Sequence, residues 1–326
     1  MAETINIAEA AAQISEEIFS VFKWERQELF DQNLGCQIQE HDKKTHPCDC
    51  VFYYIDPYLG KYVYLNTDLK SYAAGTINKN SVLIALKSLA LATHCANISD
   101  EWEAKYVEPS DHFDHVIRGF LFVYNHDNSY TNDFHEQLDG INSASLKIAK
   151  DQQVHVFGPE QIKDCYAIAC DFQILKGKNQ IIDYGFWYPD MIQHKVKHGD
   201  TWEQPATIEL LSSPLIIIKY KNLKDEESYV IYYKRNGDTI DEFVYLIDLL
   251  SHYQILSEAL PVNLRFISSN ISKNVKTNFK HGVNRYMQDW SLDEAREKQL
   301  NLIKAELVTR QSAHYNIGDL GWRDKL

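Results

Sequence analysis

The sequence predicts an α/β protein, a mixed sheet flanked by helices, followed by a smaller α+β domain. Three observations carry this. From residue 5 to about residue 175, segments of helical periodicity alternate with short apolar runs. Two of those runs, in "HPCDCVFYYIDPYLGKYVYLNTDLK" at 46–70, flank a tight-turn signal. Composition then loosens over 176–206 ("KGKNQ", "KHGDTWEQP"), which places a domain boundary near residue 180 and divides the chain into 1–180 and 181–326.

Each element has a local cause. Ile7, Ala11, Ile14, Ile18 and Val21 recur on one face, predicting a helix over 5–24. "GCQIQEHDKK" reads as a short strand and polar turn. The hairpin turns at "DPYLG", where Asp-Pro and Gly60 supply turn chemistry. "NSVLIALKSLALAT" is a helix capped by Asn80 or Ser81. After a linker with "EPSDH" and "HFDH" (112–115) come a buried strand at 116–124 and a short helix in "TNDFHEQLDGI". A strand in "QQVHVF" follows, and then a long helix from "GPEQI", with Pro159 suited to its first turn. Beyond the boundary, strands are expected at 207–219 and 228–234. A helix follows with a Thr239/Glu242 capping box, and a last helix runs from Ser291 to about 311. No internal repeat is visible.

The chain has 326 residues, and its 20 tyrosines and 14 phenylalanines argue for a folded core. A formal charge of −13 disfavours sequence-blind adhesion to nucleic acid, so contact with DNA or RNA needs a local basic patch or a partner. No apolar run reaches membrane-spanning length, and the N-terminus lacks a basic segment followed by an apolar block. A cytoplasmic protein without membrane contact is the expectation. The six cysteines include no C-x-x-C pair, so no zinc site is expected. Cys48 and Cys50, on either side of Asp49, are read as reduced, space-filling residues.

The hairpin carries the chemistry. With a loop at 57–60, Asp56 faces Lys61 and, counting outward, Asp49 faces Asp68. Directly opposed residues lie about 5 Å apart, and Asp68 and Lys70 project to one face. Two facing carboxylates repel unless a proton or cation sits between them. Lys70 supplies one positive charge, and Mg²⁺, which takes one or two carboxylates with water and phosphate, is a natural second. On the first helix, Glu17 lies at the edge of the inward face, whereas Glu16 points away.

"PCD" at 47–49 and "DLK" at 68–70, on neighbouring strands after a helix bearing Glu17, resemble the PD-(D/E)xK nuclease superfamily, whose restriction-endonuclease-like core shares the order helix, three strands, helix, strand. The resemblance implies that Asp49, Asp68 and the Leu69 carbonyl bind Mg²⁺, with Mn²⁺ able to substitute and Glu17 assisting directly or through water. Lys70 would orient the attacking water and stabilise charge on the phosphate. "FKW", "THPCDCVF", "YLNTDLKSY", "FVYNHD" and "FGPEQI" further resemble the nuclease subunit of a GAPS-type two-gene bacterial phage-defence system. That implies a second subunit encoded by an adjacent gene, with nuclease activity restrained until infection; the expected substrate is DNA, with RNA and homo-dimerisation left open.

Other residues keep two readings. Lys79 and Lys87, at or on the helix after the motif, touch phosphate or are simply solvated. Ser71 and Tyr72 position substrate or pack. "NHDN" at 125–128 reads as a turn. In "ISKNVKTNFKHGVNR", Lys273, Lys276 and Lys280 share one face if the segment is helical and, with Arg265 and Arg285, form a phosphate-contacting strip or a plain amphipathic surface. Beside catalysis stand two alternatives, a nuclease-fold scaffold with little activity and an acidic interaction protein.

Overall fold

In the computed structural model, which describes residues 2–107, 114–189, 204–256, 260–291 and 294–308, the chain opens with α1 (Ala2–Val21). Ala11, Ile14, Ile18 and Val21 are buried at helical spacing, and the Phe19 ring packs edge-on to Phe52, Phe120 and Phe122. Then follow β1 (Glu25–Arg26), β2 (Gln32–Gly35), a 3-10 turn at Gln39–His41 and β3 (Thr45–Cys48). The hairpin forms from β4 (Cys50–Asp56) and β5 (Lys61–Tyr72). Its turn is fixed by Asp56, whose carboxylate accepts from the Tyr58 and Leu59 amides, and by Gly60, whose φ of 61° favours glycine.

The helix α2 (Lys79–Ala96) is capped by Asn78 rather than by Asn80 or Ser81. Asn78 accepts from the Asn80 and Ser81 amides, while Ser81 acts as its reciprocal partner. After α3 (Asp100–Tyr106) come β6 (His115–Asn125), the single turns α4 (His135–Leu138) and α5 (Ser143–Leu146), β7 (Val154–Phe157) and α6 (Pro159–Lys178). The linker "EPSDH" and the first two residues of "HFDH" lie outside the described residues. The strand order is β1-β4-β5-β6-β7. The first three strands are antiparallel neighbours, and β6 and β7 run parallel to β5.

Alternation along β6 divides the layers. Phe120 and Phe122 face α1, whereas Leu121 and Val123 pack with Val82, Ala85, Leu86 and Leu89 of α2. Gly119 lets α2 come close, since a Cβ there would lie 2.7 Å from Thr93 Oγ1.

The chain forms two compact units, the first ending at Tyr166 and the second beginning at Ala167, both within α6. The second unit contains β8 (Ile181–Phe186), α7 (Ile208–Ser212), β9 (Leu215–Asn222), β10 (Glu227–Tyr233) and α8 (Ile240–His252). It continues with β11 (Val262–Phe266), α9 (Val275–Asp289), α10 (Glu294–Asn301) and β12 (Lys304–Leu307). The expected strand at 207–219 is therefore α7 followed by β9, and the expected terminal helix gives way to β12, with 309–326 outside the described residues. Thr239 caps α8 as expected, accepting from the Glu242 amide at 3.2 Å.

The sheet order here is β8-β9-β10-β11-β12, with antiparallel pairing up to β10 and parallel pairing after it. This repeats the pairing pattern of the first unit, a repeat that the sequence does not display. Where the first sheet opposes Asp49 and Asp68, the second opposes Pro214 and Lys234, whose amide donates to the Pro214 carbonyl. Among the described residues, the second unit has no acidic pair at these positions. Among the described residues, no single helix is long and apolar enough to cross a membrane.

Candidate active site

The hairpin register is the one the turn chemistry predicts: Asp56 pairs with Lys61 and Cys50 with Thr67. One step further, Asp49 stands opposite Asp68, in the break between β3 and β4. Its backbone is tied on both sides, the amide donating to the Thr67 carbonyl at 3.2 Å and the carbonyl accepting from Asp31 at 2.8 Å. The break lets one aspartate leave the ladder without a buried backbone group going unpaired.

Asp49, Asp68 and Lys70 converge. Asp49 Oδ2 accepts from the Leu69 amide at 2.7 Å, and Lys70 Nζ donates to Asp68 Oδ1. In an extended strand a residue's N–H and C=O project to the same side, so the Leu69 carbonyl is directed to the Asp49 side. Asp68 is 7% exposed, which makes the ion pair with Lys70 a requirement of burial rather than a surface ornament. Two carboxylates against one ammonium leave a net charge of −1 in a half-buried place.

Electrostatics reflect that surplus. Burial, then the Asp68 charge, pushes the Asp49 carboxyl up to about 6, against the opposing pull of the Leu69 amide and Lys70. Burial alone would lower the Lys70 pKa, but the Asp68 carboxylate outweighs it and holds the ammonium above its ordinary value. A carboxyl destabilised as an anion, beside a second carboxylate and a carbonyl, is an oxygen donor set that fits a hard divalent cation. The buried thiols beside it are free and do not compete: burial raises Cys48 to about 12 and raises Cys50 as well.

Glu17 is placed differently from the inward edge expected of it. It is exposed on α1, its Oε1 accepting from Gln13 at 3.0 Å, while Glu16 pairs with Arg26 at 3.1 Å. Helix α1 covers the Phe120/Phe122 face, whereas Asn66, Asp68 and Lys70 alternate onto the α2 face, where Asn66 contacts Thr93. Among the described residues, the carboxylates of Glu17, Asp49 and Asp68 do not form a group of three with donor atoms within 4.8 Å of one another.

The remaining residues sort by exposure. Lys87 is exposed on α2, Tyr72 packs into the α2 cluster, and Ser71 Oγ lies 3.4 Å from His126 Nδ1. Asp127 of "NHDN" accepts from the Ala74, Ser129 and Asn125 nitrogens, as a turn-former does. Lys276 and Lys280 are exposed on α9 along the flank of the buried stripe of Val275, Phe279 and Val283, but Lys273 lies in the turn before the helix starts. Arg265 leaves the basic strip altogether: it is buried, binds Asp171 through Nε (3.0 Å) and Nη2 (2.6 Å), and also pairs with Glu306. Arg285 pairs with Asp241 and Asp289.

A sheet with an antiparallel hairpin, a parallel continuation and this acid-acid-lysine group where the β4–β5 ladder ends is consistent with a PD-(D/E)XK nuclease core. Residues 1–161 match the family described as "GAPS4 protein PD-(D/E)XK nuclease domain", and this part of the chain belongs to that family. Nucleases of this superfamily depend on a divalent metal. No curated protein and no solved structure matches the chain.

Proposed function

We propose that the first unit hydrolyses DNA phosphodiester bonds with Mg²⁺, as the nuclease of a bacterial anti-phage system working in the cytoplasm with a second, separately encoded protein. Mn²⁺ would substitute. The observation that carries this reading is the opposition of Asp49 and Asp68 with Lys70 bound to Asp68. Asp49, Asp68 and the Leu69 carbonyl would hold the ion, whereas Glu17, exposed on the helix over the other face of the sheet, would stand outside this donor set. The bound ion supplies Lewis-acid activation and offsets the negative charge that builds on the phosphate.

The chain's own groups do the rest. Asp49 gives up its proton more readily once a cation faces it, so the site is loaded in its deprotonated form. Lys70, held as an ammonium, places a positive charge and a donor beside the reacting phosphate, where one such contact contributes about 10²-fold or more in rate. The Leu69 amide fixes the Asp49 carboxylate so that it need not reorganise during the reaction. Lys87 and the exposed Lys273, Lys276 and Lys280 would contact phosphates away from the reacting one.

Nicking of supercoiled plasmid, with Mg²⁺ present or omitted, tests the proposal. The wild-type chain, with its partner protein where needed, should cleave only with metal, and Asp49→Ala and Asp68→Ala should each abolish cleavage. Wild-type rates from either variant would refute the site. An intact acid-acid-lysine group disfavours a purely scaffolding role.

A further inference from the structure

Away from the carboxylates, four metal-ligating side chains meet around one point. Cys36 follows β2, His41 ends the 3-10 turn, His46 lies on β3 and Cys95 sits in the last turn of α2. Their ligand atoms all lie within 4.8 Å of one another. We propose that Cys36, His41, His46 and Cys95 form a structural zinc site that fastens the β2–β3 ribbon to α2.

The distances make the case. A tetrahedron has edges 1.63 times its centre-to-corner length. With Zn–S of about 2.3 Å and Zn–N of about 2.0–2.1 Å, the edges come to roughly 3.8 Å for S···S, 3.6 Å for S···N and 3.3 Å for N···N. The chain shows Cys36 Sγ···Cys95 Sγ at 3.7 Å, His41 Nδ1 to the two sulfurs at 3.7 and 3.3 Å, and His41 Nδ1···His46 Nε2 at 3.3 Å. A disulfide is excluded by the same sulfur separation, since a bond needs about 2.05 Å.

Hydrogen bonding does not account for the cluster. His41 Nδ1 has one proton or one lone pair, yet three ligand atoms surround it at these distances. A shared central cation explains all three at once. The ring's other nitrogen, Nε2, lies 3.3 Å from His94 Nδ1, and an outer partner of this kind fixes the tautomer of a metal-bound imidazole. The Gln37 amide donates to Cys95 Sγ at 3.4 Å, which suits a thiolate. Cys36 Sγ, 3.2 Å from the Ile38 carbonyl, would exchange that thiol contact for the metal.

Charge balances as well. Both thiols release their protons to solvent on binding, and Zn²⁺ with two thiolates and two neutral imidazoles is electrically neutral, which suits this half-buried place. Zinc would join residues far apart in sequence and brace β3, whose His46 stands three positions before Asp49. The role is structural, since all four positions are filled by protein.

The test uses the full chain purified without chelators. Elemental analysis should give one zinc per chain, and the doubly substituted Asp49→Ala, Asp68→Ala protein should keep it, which separates this site from the nuclease carboxylates. Cys36→Ser with Cys95→Ser should lose it. Because that variant can fail to fold, cobalt exchange into the wild-type chain serves as the second measurement. It should give the intense visible bands of tetrahedral cobalt with thiolate charge transfer. Wild-type protein with neither zinc nor that spectrum, or a double-serine variant retaining one zinc, would overturn the proposal.

Discussion

Replacing Asp49 with asparagine keeps the shape and the acceptor for the Leu69 amide while removing one of two opposed charges. The Asp49 carboxyl stands at about 6 in the folded chain against 3.8 ordinarily, because it is buried and faces Asp68. Between those values the folded state holds a proton that the unfolded state has released, so metal-free stability falls as pH rises. At 1.36 kcal/mol per pH unit the penalty reaches about 3 kcal/mol above pH 7, and it is about 1 kcal/mol at pH 4.5. Asp49→Asn abolishes it. Without added divalent ions the variant should therefore be more stable than wild type by up to about 3 kcal/mol at pH 8. For a unit of this size that is roughly 6–12 °C in melting temperature, and the gap should shrink to about a third at pH 4.5. Calorimetry in metal-depleted buffer is preferable to EDTA, which would also strip a structural zinc. A gap that is absent at pH 8, or equal at the two pH values, would refute the reasoning that Asp49 is a destabilised anion waiting for a cation.

In the second unit, Arg265→Met should lower stability by about 3–5 kcal/mol in denaturant titrations, because it leaves Asp171 buried without its cation. A loss below about 1 kcal/mol would show that Asp171 finds another partner. Replacing Lys273, Lys276 and Lys280 with alanine should weaken DNA binding and flatten its log–log salt slope by up to about 2.7, at roughly 0.9 per phosphate contact. An unchanged slope in a fluorescence-anisotropy titration would leave the three lysines as a solvated surface.

Much of the first unit was legible because its signals are local. Asp-Pro, Gly60 and two alternating runs fix the loop length, and loop length fixes register, so the opposition of Asp49 and Asp68 could be counted from the turn outward. Glu17 was harder to place, since helical periodicity gives a face but not which layer of the sheet that face covers. The cysteine–histidine cluster escaped because its ligands come from a turn, a strand and the end of a distant helix. The one available clue was Cys36, His41 and His46 at five-residue intervals. In the second unit β8 (IIDYGF), β11 (VNLRF) and β12 (KAEL) are only four to six residues long and show no sustained alternation, so their neighbours in the sheet define them. Arg265 looked like part of a basic strip, and nothing local reveals that Asp171 claims it.

The central claim, that this is a hydrolytic site in which the aspartates hold the ion and Lys70 acts on the phosphate, is tested most directly by single-turnover DNA cleavage at saturating Mg²⁺ with Lys70→Met. Methionine keeps most of the bulk and removes the ammonium that Asp68 holds. The two carboxylates then repel more strongly, so Mg²⁺ should bind at least as tightly as in wild type. The cleavage rate should nonetheless fall by about 10²-fold or more, the scale of one lost electrostatic contact in the transition state. A rate that returns to the wild-type value once Mg²⁺ is raised would mean that Lys70 only holds the carboxylates together, and would contradict the account.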